Sequence, residues 1–303
     1  MYDLTTKNNS FLELSNKLKS LGVKNYNVML KLNDATLIGV NPYKVKTKEE
    51  REHILKEAST NIWYFVRELV RIPLANDEMS NFKLNIGNFT QIFLTERNCD
   101  YMAILPRQKY KTVTECIMLL WKDLFVLHSN SLYMNKSAHL TDFAKKYIKK
   151  VKSYLPKWLI KKCQKDGLID FKNPPATLKD ADKVFTDMEY SNIVLDEFSF
   201  LAYDESLIDY LIPSYSYAKQ KNKINGGSYG LHIIVAPEPS KSGEFSYKYM
   251  NRCIRFTPNM LDLDIDNDNM YLINYDWRDL GYSQDWYNKT SYQSRDYGLE
   301  LEL

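Results

Sequence analysis

From about Phe82 onward, short apolar runs alternate with amphipathic helical patterns, and this alternation constrains the fold more than any other feature of the chain. Tyr101–Leu105 reads as a short apolar strand. Lys111–Leu127 follows as a helix, with Val113, Cys116, Ile117, Leu120 and Leu124 on one face. A strand at Ser131–Met134 precedes a helix over Leu140–Tyr154, which Pro156 closes. Beyond an irregular stretch holding Pro174 and Pro175 come a strand at Asn192–Leu195, a helix near Glu205–Leu211 and a strand at Tyr229–Val235. Strands separated by helices are joined by crossovers, not hairpins, so the pattern predicts an α/β fold: a mainly parallel sheet with helices on both faces.

The first 80 residues have a different texture. Ser10 to Glu13 forms a capping-box pattern and Gly22 suits a helix stop, so a short helix is expected between them. NVMLKLNDATLIGV reads as two strands around Asn33 and Asp34, a hairpin. A second capping box, Thr47 to Glu50, opens a long helix carrying Ile54, Ala58, Ile62, Phe65, Val66 and Leu69 at helical spacing up to Pro73. The expected organisation is residues 1–80 as a helix/hairpin region packed on a core formed by 81–303.

A hydrophobic content of 44% and a charged content of 26% describe a soluble globular chain, not a disordered one. With a net charge of only +3, nucleic-acid binding would need a local basic patch. The N-terminus lacks an apolar signal core and no run of eighteen apolar residues exists, so an intracellular protein outside the membrane is expected. The four cysteines are far apart without a C-x-x-C pair, and the four histidines are scattered, which argues for reduced structural thiols and against a zinc site. DLDIDND (262–268) fails as a calcium loop, because Asn267 stands at the glycine position and Ile273 at that of the closing glutamate. It reads as an acidic surface turn. His232, inside an apolar strand, reads as a structural residue.

Two places carry chemistry. In ILPRQKYKT (104–112), Lys111 and Thr112 stand after a strand and at a helix start. A phosphate loop needs its lysine and magnesium-binding hydroxyl there, with backbone N–H groups turned to the phosphates. Leu105 and Tyr110 occupy the two glycine positions of the general motif. In SNIVLDEFSF (191–200), a continuous apolar strand ends in Asp196 and Glu197. Ligands gather at the carboxyl ends of buried parallel strands, where an aspartate can hold Mg²⁺ and a glutamate can orient or deprotonate an attacking water.

Several segments together resemble the ATPase half of the large subunit of a tailed-phage terminase. They are FVRELVRIPL (65–74), FKLNIGNFTQIF (82–93), ILPRQKYKT (104–112), SLYMNKSAHLTDFAKKYIKKVKSYLP (131–156), IVLDEFSFL (193–201) and IPSYSYAKQKNKINGGSYGLHIIVAP (212–237). Terminases of this kind carry P-R-Q-x-G-K-T as their loop and D-E-F-x-F as their acidic strand end. The resemblance runs from about residue 28 to the C-terminal end.

It implies a P-loop NTPase fold of the RecA-like, additional-strand type, with ATP and Mg²⁺ as cofactors and translocation of double-stranded DNA into the prohead as the function. The nucleotide site would comprise Gln91 at the adenine edge and the loop residues Pro106, Arg107, Gln108, Lys109, Tyr110, Lys111 and Thr112. Thr112 and Asp196 would hold the metal, Glu197 and Arg107 would be catalytic, and Ala236 and Pro237 would occupy the coupling motif. Implied partners are the portal and prohead, the small terminase subunit, further copies in a ring, and a separate nuclease chain if the family's nuclease half, due near Leu303, is not a truncation. No nuclease activity and no membrane are expected, and the setting would be the cytoplasm of the infected bacterial host. Two departures from the family pattern weaken hydrolysis in this reading. Tyr110 replaces glycine, and Ala236 lacks the hydroxyl of the coupling motif. A degenerate, non-hydrolysing structural or DNA-binding relative is the alternative they support.

Lysines crowd the helix expected over Thr141–Lys162, with Phe143, Tyr147, Ile148, Val151 and Leu155 as its apolar face. Lys145, Lys149 and Lys152 are the candidate contacts to a DNA backbone, which needs charge and no sequence reading.

Overall fold

A computed structural model describes residues 1–74, 78–106, 111–127, 129–163, 168–175, 189–198, 206–235 and 249–289. The N-terminal region holds helices α1 (Asn9–Ser20), α2 (Lys48–Thr60) and α3 (Ile62–Tyr64), the last running into a π-helical turn over Phe65–Leu69. A small antiparallel pair, β1 (Arg71–Pro73) and β2 (Met79–Asn81), leads to α4 (Ile86–Glu96). Then follow β3 (Asp100–Ile104), α5 (Lys111–Phe125), β4 (Asn130–Asn135), α6 (Ala138–Tyr154), α7 (Lys157–Ile160) and β5 (Leu168–Lys172). The chain continues through β6 (Asn192–Asp196), α8 (Ser206–Asn225), β7 (Gly230–Val235), β8 (Ile254–Arg255) and β9 (Met270–Asn274).

Seven strands form one sheet in the order β5-β4-β6-β7-β3-β9-β8, and every neighbouring pair is parallel. β7 therefore separates β3, which leads to Lys111, from β6, which ends at Asp196. This is the helix-flanked parallel sheet of an α/β fold. The strand period of two divides its side chains between two cores. Tyr101, Ala103, Tyr133, Val194, Ile234 and Ile273 join the core that also contains α1, α2, α4, α5 and α6 residues. Met102, Leu132, Met134, Ile193, Leu195, Leu231 and Ile233 join Ile208, Leu211 and Tyr215 of α8. Asp196 shares the parity of Val194, so its carboxylate turns to the side where α5 begins. None of the described helices is long and apolar enough to cross a membrane.

Several local expectations need correction. No hairpin forms around Asn33. Residues Val28–Leu30 and Ala35–Leu37 are 3₁₀ turns. The buried Glu57 carboxylate accepts the N–H groups of Asn33 and Asp34 at 3.0 and 3.1 Å, and the Asp34 side chain accepts from Thr36 N, so side chains from a distant helix and from the turn itself take donors that cross-strand pairing would use. The capping box at Thr47–Glu50 does form, but the helix it opens breaks at Asn61, whose side chain caps α3 by accepting from Tyr64 N. Ser10 is not a cap either. Helix α1 starts before it, and its hydroxyl donates to Asn8 Oδ1 and accepts from Leu84 N.

The helix near Glu205–Leu211 extends to Asn225 despite Pro213, because Leu211, Tyr215, Ala218 and Asn222 continue a buried face. Gly226, at φ 70°, turns the chain out of it. The lysine-rich helix ends at Tyr154, not Lys162, and α7 follows Pro156. Phe143 lies outside its buried face at 52% exposure, while Thr141, Ala144, Ile148 and Val151 face inward.

Candidate functional site

Lys111 and Thr112 open α5 next to the carboxyl ends of β3, β6 and β7. Thr112 Oγ1 donates to Asp196 Oδ2 at 2.7 Å, and the Lys111 ammonium donates to the Val235 carbonyl at 3.3 Å. Both lysine and aspartate are buried, Asp196 completely. The hydroxyl of Tyr133 donates to the same Asp196 oxygen at 2.8 Å, and the N–H of Glu197 donates to Oδ1 at 3.0 Å. Burial raises the Asp196 pKa above the usual carboxylate value, against the opposing pull of the Lys111 charge and the hydrogen bonds from Thr112 and Tyr133.

Glu197 has φ 56°, in the left-handed region that a non-glycine residue enters at a cost of about 1 kcal/mol or more. The kink turns its carboxylate away from the strand line. Oε1 lies 3.8 Å from the Lys111 ammonium and Oε2 lies 3.8 Å from that of Lys136. The two candidate acids and the two loop residues thus meet at one place, although they come from distant parts of the sequence. A hydroxyl and a carboxylate oxygen 2.7 Å apart form a hard-oxygen donor pair suited to Mg²⁺. Arg107, Gln108, Lys109 and Tyr110, and likewise Ala236 and Pro237, lie outside the described residues. Pro106 is buried beside them.

Gln91 is fully buried. Its Nε2 donates to Glu115 Oε1 at 2.7 Å and makes a longer contact of 3.4 Å with the Lys111 carbonyl. Glu115 Oε1 also accepts from the Tyr101 hydroxyl, and its Oε2 meets His232 Nδ1 at 2.9 Å. Reading a base edge from this position would require Gln91 to leave the network. His232 stacks on Tyr101 at a centroid distance of 4.2 Å, and burial lowers its pKa while Glu115 opposes that shift. The imidazole is a core residue that braces α5 against β3 and β7.

One turn earlier on α4, Asn88 has a different environment. It is completely buried, and neither its Oδ1 nor its Nδ2 has a hydrogen-bond partner. A Cβ on its neighbour Gly87 would stand 3.1 Å from Leu105 Cδ2, so the first turn of α4 lies against the root of the expected loop. A buried carboxamide with both atoms unpartnered costs about 1–3 kcal/mol, which is the kind of deficit that a ligand can relieve. Asn88 is a functional candidate that the sequence reading passed over. Its signal is present in GNFTQIF, but a polar residue there is indistinguishable from a capping residue until its hydrogen bonds are known.

Of the three candidate lysines on α6, Lys149 is exposed and Lys145 lies 5.9 Å over the Phe171 ring. Lys152 is tied to Asp123 at 2.9 Å, so it is less available to a phosphate than its neighbours.

No protein-family model and no curated protein matches the chain. Solved structures do. An arginine-to-alanine mutant of the large terminase ATPase domain of Thermus phage P74-26 is 10% identical, with a TM-score of 0.47 over 71% of this chain and 89% of that one. The same phage's large terminase ATPase domain gives 10% identity and a TM-score of 0.45, over 70% and 88%.

Proposed function

We propose that the chain is an ATPase of the phage DNA-packaging type, which hydrolyses ATP to drive double-stranded DNA into a prohead. The observation that carries this reading is the meeting of Lys111 and Thr112 with Asp196 and Glu197 at the carboxyl edge of a parallel sheet. The packaging role rests on the ordered segments that resemble terminase large subunits.

In this reading Lys111 would turn from the Val235 carbonyl to the terminal phosphates, and Thr112 Oγ1 and Asp196 Oδ2 are the oxygens that would hold Mg²⁺. The ion, when bound, supplies charge neutralisation for the phosphates. Glu197 orients the attacking water and takes its proton as the bond to the terminal phosphorus forms and ADP leaves. Arg107 stabilises the charge that develops. Asn88 supplies an Oδ1 acceptor and an Nδ2 donor, which match the amino group and adjacent ring nitrogen of adenine. Lys145 and Lys149 grip DNA phosphates, and ring assembly on a portal, with a small subunit and a nuclease supplied separately, completes the motor in the host cytoplasm.

The test is ATP binding and turnover, with and without DNA, for wild type, Lys111→Ala and Glu197→Gln. Lys111→Ala should abolish binding. Glu197→Gln should keep binding and lower kcat by about 10²–10⁴-fold. Tight binding without any turnover in the wild type, with DNA and portal present, would favour the degenerate relative to which Tyr110 and Ala236 point.

A further inference from the structure

The segment SLYMNKS (131–137) carries β4 to its carboxyl end; two of its side chains reach the acidic pair, and a third braces one of them. Tyr133 donates to Asp196, and Asn135 Nδ2 donates to the Tyr133 hydroxyl at 3.1 Å. Lys136 comes to 3.8 Å from Glu197. Register sets this up: Asn135 stands opposite Asp196 in the β4–β6 ladder, so the next residue of each strand meets just beyond the sheet.

Glu197 consequently lies between two ammonium groups from different elements, Lys111 at 3.8 Å from Oε1 and Lys136 at 3.8 Å from Oε2, and the buried Oε2 accepts no hydrogen bond, so its tie to Lys136 is one of charge. The two lysines are not equivalent. The Lys111 side chain is 6% exposed and stands where a terminal phosphate would draw it, whereas the Lys136 side chain is 32% exposed and lies on the opposite flank of the carboxylate. A lysine committed to phosphate oxygens loses its hold on a neighbouring carboxylate, because the phosphate carries more charge and takes its donors. We infer that Lys136 is a positioning residue for Glu197, keeping the carboxylate at the sheet edge when a triphosphate takes Lys111. Lys136 touches no reacting atom. It acts through the base, and the inference rests on the nucleotide reading of the same site.

The first test needs no turnover. Lysine acylation, quantified by mass spectrometry on the full chain without nucleotide, compares wild type with Glu197→Gln. Labelling of Lys136 should rise about threefold in the variant, the scale expected for a partly exposed ion pair. Lys219, paired with Asp100 at 2.9 Å, should stay unchanged as an internal reference. Adding a non-hydrolysable ATP analogue with Mg²⁺ should protect Lys111 and leave the difference at Lys136 in place. Equal Lys136 labelling in the two proteins, or a difference that vanishes when the analogue binds, overturns the inference. The second test is kinetic. Lys136→Met should lower kcat about tenfold with KM for ATP within about twofold, and Lys136→Arg should restore most of the loss. An unchanged kcat in Lys136→Met, or a loss confined to KM, also overturns it. A wild-type chain that neither binds nor hydrolyses ATP would remove the nucleotide reading, while the labelling difference would still decide whether Lys136 holds Glu197.

Discussion

At the scale of single residues, burial separates side chains that look alike in the sequence. Asn88 and Gln91 lie on the same helix, both fully buried, yet Gln91 is bonded to Glu115 and Asn88 has no partner for either amide atom. Asn88→Ala should therefore leave thermal stability unchanged or raise it slightly, since it removes an unsatisfied group. The same change should weaken ATP binding about tenfold, read by calorimetry against GTP, whose base offers the opposite donor pattern. A clear fall in melting temperature with unaltered ATP affinity would make Asn88 a packing residue. Lys122 is a different case. Burial lowers its pKa to about 7, and its ammonium donates to Asn192 at the other end of the sheet from the loop. Burial thus disfavours the charged form of this lysine, while the Glu115 and Asp100 carboxylates oppose the shift.

Within elements, the clearest polar device joins α2 to the turn before it. His53 Nδ1 and Asp34 Oδ2 are in contact at 2.5 Å, and each shifts the other. Hydrogen bonds from Thr36 and His53 lower the Asp34 pKa to about 2, and the Asp34 hydrogen bond raises that of His53 above 6.5. A depressed aspartate contributes stability above its unfolded value near 3.8 that is lost as pH falls towards 2. A raised histidine contributes stability that is complete below 6.5 and is lost as pH rises through its folded value. The pair is therefore strongest between those limits. Melting temperatures of wild type and His53→Ala should differ most near pH 5 and converge above neutrality. Helix α2 itself depends on its cap: Thr47→Ala should cost about 1 kcal/mol, seen in denaturant unfolding. Glu57 deserves a larger effect, because it is buried and accepts from Asn33, Asp34 and Asn61. Glu57→Ala strands those donors and should cost about 2–3 kcal/mol.

Across the whole molecule, the N-terminal region is bound to the C-terminal segments by polar contacts as well as by the shared core. The Asp262 carboxylate accepts the N–H groups of Lys24 and Asn25 at 2.9 and 2.8 Å, and Lys17 donates to the Asp279 carbonyl. The acidic run at 262–268 thus begins as a tie between chain ends, and Asp268 pairs with Lys223 of α8. At this scale belongs the proposed DNA contact of α6. Lys145→Ala and Lys149→Ala should each weaken binding of double-stranded DNA irrespective of sequence. Each should also reduce the slope of log affinity against log salt by about 1. Lys152→Ala, whose ammonium already serves Asp123, should change the slope less. A salt slope unaltered by both Lys145→Ala and Lys149→Ala would place the DNA elsewhere.

The sequence alone determined what depends on local period and composition. Continuous apolar runs alternating with amphipathic helices required a parallel sheet, and β3, β4, β6, β7, α5 and most of α6 lie close to where that pattern put them. That Lys111, Thr112, Asp196 and Glu197 would gather at one sheet edge was legible for the same reason, since residues at strand ends and helix starts face the carboxyl edge of such a sheet. Tertiary structure decided the rest. Edge strand β5 (LIDFK) mixes apolar and charged residues over five positions, and only pairing with β4 makes it a strand. Glu57 displaced the expected hairpin through hydrogen bonds to residues 24 and 23 positions away, and Asn61, which ends the long helix by capping α3, is itself tied to the Lys31 carbonyl 30 positions away. The opposed lysines around Glu197 and the unpartnered amide of Asn88 likewise arise from contacts between elements. A one-dimensional pattern records which face a residue occupies; which polar group meets it there is set by sheet order and register.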